Sequence, residues 1–125
     1  MTAAIPFGPR PGIKTRMYAL GRLPKGRMNN TEKSYADALE LRKQAGEVAW
    51  YRFEGIKLRL ADSTFITIDF PVMLTSGILE MHEVKGFWTD DALAKTKIAA
   101  GMYPFVFKIV RKAKGGFWDI TEVAA

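Results

Sequence analysis

Three residues in this chain have types and spacing that suit acid, base and metal chemistry. They are Asp69 in Thr67-Ile68-Asp69-Phe70, and Glu83 and Lys85 in His82-Glu83-Val84-Lys85-Gly86. Both segments read as β-strands, rich in β-branched and aromatic residues. Glu83 and Lys85 are two apart, so on a strand they project from one face. Thr75-Ser76-Gly77 between the segments reads as a tight hairpin turn. A hairpin centred on Ser76 sets Asp69 opposite Glu83, with Cβ atoms about 5 Å apart. Phe70, Ile68 and Val84 then point the other way, into a core.

Two carboxylates held this close raise each other's pKa unless a cation lies between them. Lys85 serves partly. An oxygen-rich pair also suits a hard divalent ion, and Mg²⁺ takes one or two protein carboxylates with waters and phosphate oxygens. The chemistry implied is metal-assisted phosphodiester hydrolysis. Mg²⁺, with Mn²⁺ able to substitute, would activate water and offset phosphate charge. Lys85 would position that water and stabilise the pentavalent state. An acid-x-Lys triplet by itself is weak, since composition alone yields about one in a chain this long. The competing reading is a salt-bridge cluster on a sheet face, worth little energetically.

The elements that must position these residues follow from the rest of the chain. Asn30 or Thr31 is placed to cap a helix running to about Gln44 and ended by Gly46, with Tyr35, Ala38 and Leu39 inward. Val48 to Leu60 reads as a strand, Ala61-Asp62-Ser63 as a turn and Thr64 to Leu74 as a second strand. Ile78 to Lys85 is a third. Thr89-Asp90-Asp91 caps a helix closed by Gly101. Phe105–Val110 and Phe117–Val123 are further strands around a Lys114-Gly115-Gly116 turn. The order α, β, β, β, α, β, β implies an α/β domain, a mixed sheet flanked by helices.

The 125 residues allow one domain. The chain has no cysteine and one histidine, which excludes thiolate metal sites, disulfide scaffolds and two-imidazole sites. No apolar run approaches membrane-spanning length and no signal-peptide core opens the chain, so a soluble, cytoplasmic protein is expected. The net charge is +6. Arg10, Lys14, Arg16, Arg22, Lys25 and Arg27 lie in the Gly- and Pro-rich stretch 1–28, which holds no acid, and the remainder is neutral. Such an arm ahead of a neutral domain at 29–125 points to a phosphate-rich partner, the alternative being a solvated tail with no function. Lys95 and Lys97 on the second helix are either phosphate contacts or a solvated face.

At Asp69, Glu83 and Lys85 the sequence resembles the PD-(D/E)XK nuclease superfamily, which includes restriction enzymes and Holliday-junction resolvases. In that family an Asp on one strand and an (Asp/Glu)-x-Lys on the next form the metal site. Gly86 after the lysine is also typical, and Ile68 stands where the family often has Pro. The family frequently adds a Glu on the helix before the sheet, which Glu32 in Thr31-Glu32-Lys33-Ser34-Tyr35-Ala36 matches; Glu54 is its rival. The resemblance covers about residues 29–112. With Arg52-Phe53-Glu54 and Glu83-Val84-Lys85-Gly86-Phe87-Trp88 it is similar to a group of small phage and prophage proteins of this superfamily.

The resemblance implies a restriction-endonuclease-like αβββαβ core. It implies a DNA endonuclease whose catalytic and metal-binding residues are Asp69, Glu83 and Glu32, with Lys85 catalytic. Small size with no separate reading domain favours a structure-selective enzyme acting on branched DNA as a homodimer. A dimer face would draw on Phe7, Met17, Tyr18, Met73, Met81, Met102 or Tyr103, the rest being core. The alternatives are a less selective phage nuclease, the catalytic subunit of a larger DNA-processing complex, or a non-catalytic DNA-binding module. His82 alternates away from Glu83 and reads as a satisfied residue on the opposite face. Trp88 either stacks on a base or packs at the sheet end.

Overall fold

A computed structural model of the chain describes residues 26–86 and 90–124. The first helix, α1, spans Asn30–Gln44. Its cap is Asn29, one residue earlier than expected. The Asn29 side chain accepts from Glu32 N–H, and the Glu32 carboxylate accepts from Asn29 N–H at 2.9 Å, a reciprocal capping box. Gly46, with φ of 84°, turns the chain out of the helix, as its left-handed conformation requires.

Seven strands follow among the described residues: β1 Val48–Tyr51, β2 Ile56–Ala61, β3 Thr64–Ile68, β4 Phe70–Leu74, β5 Leu79–Val84, β6 Val106–Lys112 and β7 Trp118–Glu122. The second helix, α2, spans Asp90–Met102, between β5 and β6. It runs through Gly101 rather than stopping there. Five strands form one mixed sheet in the order β1-β4-β5-β6-β7. β5 and β6 are parallel, joined by the α2 crossover, and the other neighbours are antiparallel. β2 and β3 form a separate antiparallel ribbon.

The α/β class with a mixed sheet and two helices therefore holds, but two expected strands are each split. Val48–Leu60 breaks at Arg52–Gly55, where Glu54 takes a φ of 52°. Thr64–Leu74 breaks at Asp69. In each case one half joins the five-stranded sheet and the other the ribbon. The sheet is covered on both faces. On one, α1 packs Tyr35 and Leu39 against Val48, Phe70, Val72, Val84 and Val110. On the other, the ribbon and α2 bring Leu58, Leu60, Ile66, Ile68 and Ala99 onto Met81 and Phe107.

The α1 side also buries a polar chain that sequence reasoning missed apart from His82. Lys108 Nζ lies 2.8 Å from Glu80 Oε2, Glu80 Oε1 lies 2.8 Å from His82 Nε2, and Tyr35 Oη lies 2.6 Å from His82 Nδ1. Hydrogen bonds from His82 and Lys108 hold the Glu80 carboxyl down at about 2, so it is an acceptor only. His82 Nε2–H therefore donates to Glu80, and Nδ1 accepts from the Tyr35 hydroxyl. Burial lowers the His82 pKa and raises that of Tyr35, keeping both neutral. His82 is thus satisfied on the face away from Glu83, as its alternation suggested. The i, i+2 pairing of Glu80 with His82 on an apolar strand was the available signal; Tyr35 and Lys108 become their neighbours only through the topology.

Tyr35→Phe removes the donor while keeping the ring that packs edge-on to Phe70 and Trp118. It strands a buried imidazole nitrogen, so unfolding free energy in urea is expected to fall by about 1–3 kcal/mol. A change within error would show that this hydroxyl bond is not formed.

Candidate active site

Asp69 sits at the junction where the chain leaves the ribbon and enters the five-stranded sheet. The residue has no regular ladder partner, and its polar groups are met individually. Its N–H donates to Glu83 Oε1 at 3.0 Å, and its carbonyl accepts from Glu54 N–H at 2.8 Å. Its Oδ2 accepts from Val84 N–H at 2.9 Å. Each carboxylate thus occupies a backbone donor next to the other. The β4–β5 register, with Phe70 opposite His82 and Val72 opposite Glu80, is the one expected from a turn centred on Ser76. Continued by one residue it brings Asp69 to Glu83.

Both acids are buried, Asp69 at 7% and Glu83 at 4% exposure. Lys85 follows β5, and its N–H donates to Val110 O. Its ammonium lies 3.8 Å from Asp69 Oδ2, and its side chain keeps 37% exposure. Loss of hydration pushes both carboxyls above their ordinary range. Asp69 is offset in part by Lys85 and the Val84 N–H, and raised further by Glu32 and Glu54. Glu83 is raised by burial first and then by the Asp69 charge. One shared ammonium does not neutralise two buried anions, so the pair retains a proton toward neutrality.

The other predicted residues lie at different distances from this pair. Glu32 and Glu54 are within electrostatic range of Asp69, and Glu32 also of Glu83. Glu32 is engaged in the α1 capping box, and Glu54 Oε1 accepts from Gly26 N–H at 3.1 Å. Among the described residues no side-chain hydrogen bond joins either to the pair, Glu54 meeting Asp69 only through its backbone N–H, and Glu54 lies in a turn rather than on a strand. Lys95 and Lys97 are exposed on α2, and Arg27 is exposed ahead of α1. Arg10, Lys14, Arg16, Arg22 and Lys25 lie outside the described residues, as do Trp88, Thr89, Phe7, Met17 and Tyr18. Met81 is core, Met73 and Tyr103 are half-buried, and Met102 is 51% exposed. Of the dimer-face candidates described, Met102 alone presents a largely open side chain.

The residues fit a hard cation through two carboxylates. Among the described residues no hydrogen bond reaches Asp69 Oδ1 or Glu83 Oε2, so each buried acid has an oxygen to offer. No group of three His, Cys, Asp or Glu side chains converges among the described residues to form a larger ligand set. Water and phosphate oxygens would complete a magnesium shell, which this ion favours. No helix among the described residues is long and apolar enough to cross a membrane. No family model, curated protein or solved structure matches the chain.

The raised acids leave a signature in stability. A carboxyl whose folded pKa lies above its unfolded value favours the folded state when protonated, and that contribution is lost as pH rises through the folded pKa. For Glu83 the window runs from its ordinary 4.5 up to about 8. Asp69 acts only up to about 6. His82, with its lowered pKa, has the opposite sign but acts only below its ordinary 6.5. Between pH 6.5 and 8, without divalent metal, stability is therefore expected to fall, by at most about 2 kcal/mol. Glu83→Gln keeps an acceptor for Asp69 N–H and removes the charge; it should flatten this slope and raise the melting temperature at pH 8. A slope unchanged in the variant would remove Glu83 as its source.

Proposed function

We propose that the protein is a metal-dependent DNA endonuclease that hydrolyses phosphodiester bonds, with the restriction-endonuclease-like core that its sequence resembles. The observation that carries this reading is the buried pair Asp69–Glu83. The Glu83 carboxylate accepts from Asp69 N–H and the Asp69 carboxylate from Val84 N–H, each leaves one oxygen without a hydrogen bond among the described residues, and Lys85 lies beside Asp69. The element order around it supports the same reading: helix, antiparallel strands carrying the acids, crossover helix, parallel strand.

Asp69 and Glu83 would hold a Mg²⁺ or Mn²⁺ ion. Such an ion, when bound, acts as a Lewis acid on the scissile phosphate and eases ionisation of water. Lys85 is the member that reaches solvent. Its ammonium can hold the attacking water and stabilise charge growing on the phosphate oxygens. Glu32 and Glu54 add negative potential around the pair, which strengthens its hold on a cation. The net charge of +6, carried by residues before 31, supports a polyanionic partner. A chain this small has little surface to read a long sequence, which favours recognition of branched DNA by shape, by a homodimer where two symmetric cuts are made.

A second reading, a DNA-binding module with an inert acid pair, is favoured by the want of a third converging ligand among the described residues. The test is cleavage of end-labelled four-way junction, nicked duplex, single strand and plain duplex, with Mg²⁺ and with chelator. Metal-dependent cutting is expected. Asp69→Asn and Lys85→Ala should each lower it by at least about 10²–10³-fold while junction binding persists. Symmetric cutting of the junction alone would support a dimeric resolvase. Equal cutting of all four would support a less selective nuclease or a subunit of a larger complex. No cutting under any metal would establish the binding module instead.

A further inference from the structure

We propose that the outer face of the β2–β3 ribbon is a binding surface for an unpaired DNA strand adjoining the cut site. The inference rests on the nuclease reading above for the position of the cut. In the ribbon register Lys57 pairs with Thr67 and Arg59 with Phe65. Leu58, Leu60, Ile66 and Ile68 alternate with these and are buried against the sheet. Strand alternation therefore places Lys57, Arg59, Phe65 and Thr67 together on the opposite face.

That face has an unusual composition for an exposed one. Phe65 keeps 41% exposure, and Lys57 Nζ lies 4.6 Å from the centre of its ring. Arg59 is exposed directly across the ribbon. Neither ribbon strand contains an Asp or Glu, so no carboxylate on them neutralises the two cations. The Arg59 carbonyl accepts from the Tyr103 hydroxyl at 2.6 Å, which ties this edge of the ribbon to the end of α2. An aromatic ring held among cations on a supported ribbon is the arrangement that receives a stacked base with its phosphates.

The ribbon is also continuous with the candidate site. β3 runs directly into Asp69, and Phe65 is four residues earlier, about 13 Å along an extended strand. Stacked bases repeat at about 3.4 Å, so a strand entering at Asp69 reaches Phe65 within about four bases. The chemistry recognised is an aromatic base face with flanking phosphate. Paired bases hide their faces in the duplex stack, so the ribbon discriminates by unpaired structure rather than by sequence.

The test is binding of one labelled oligodeoxynucleotide as single strand, as duplex and as duplex with an unpaired arm. Chelator is present, so the readout does not depend on cutting. Phe65→Ala should weaken single-strand and armed-duplex binding about 5- to 100-fold and leave plain duplex binding unchanged. Phe65→Trp should retain binding. Lys57→Gln with Arg59→Gln should reduce the single-strand salt slope by about 1.4, or 0.7 for each phosphate no longer neutralised. Wild-type binding by Phe65→Ala, or an equal loss on all three DNAs, would overturn the proposal, as would an unchanged salt slope. Any of these three failures would leave Asp69-dependent cutting untouched. A protein that never cuts but loses strand binding on Phe65→Ala would overturn the nuclease reading alone.

Discussion

At Asp69 the chain leaves the β2–β3 ribbon and joins the five-stranded sheet, so this residue sits where neither ladder can satisfy it. A buried peptide group without a partner costs more than a typical hydrogen bond returns, so the fold must supply partners from elsewhere. It supplies the Glu83 carboxylate to Asp69 N–H, the Asp69 carboxylate to Val84 N–H, and the Asp69 carbonyl to Glu54 N–H. These bonds close the join between the ribbon, the turn before it and the end of β5. They also compel two acids to be buried side by side. The join and the electrostatic tension at the site have one origin.

The two faces of β5 show how differently the same residue type behaves. Glu80 and Glu83 are both buried glutamates on one strand. Glu80 has Lys108 and the His82 ring at hydrogen-bond distance, and its carboxyl falls to about 2. Glu83 is cut off from water with an acid for a neighbour, and its carboxyl rises to about 8. The first is a closed network: every polar member has a partner, and it fixes α1 on the sheet through Tyr35. The second is incomplete, and its stability is served by whatever brings positive charge. That contrast supports the proposed placing of the site on the Glu83 face, since sites that bind tend to be locally unfavourable when empty.

The hairpin register was legible because a short turn and strict alternation leave little choice. The splitting of the two long strands was not. Ile66, Ile68, Phe70 and Val72 alternate through Asp69 without interruption, yet the first two enter one core cluster and the last two the other. A chain that crosses between covered layers shows the same period-2 pattern as one continuous strand. Likewise Val48 and Phe53 face the α1 side while Leu58 and Leu60 face the ribbon side. Gly55 is the one weak sequence sign of that corner; the left-handed backbone of Glu54 is visible only in the structure. Glu32 was legible as an acid near the helix start, but its capping-box role needed the position of Asn29.

The basic N-terminal segment and the acid pair are connected through the same corner. Gly26 N–H donates to Glu54 Oε1, and Glu54 N–H donates to Asp69 O. Residues 27 and 28 then lead into α1, with Met28 packed on the α1-side core. The segment that carries the excess of lysine and arginine is therefore attached to the fold at a turn that is hydrogen-bonded to Asp69. Positive charge counts most within about a Debye length, roughly 8–10 Å at ordinary salt. Under the endonuclease reading proposed above, a phosphate chain attracted by the exposed Arg27 at this corner would meet the part of the fold that carries the buried carboxylates and Lys85.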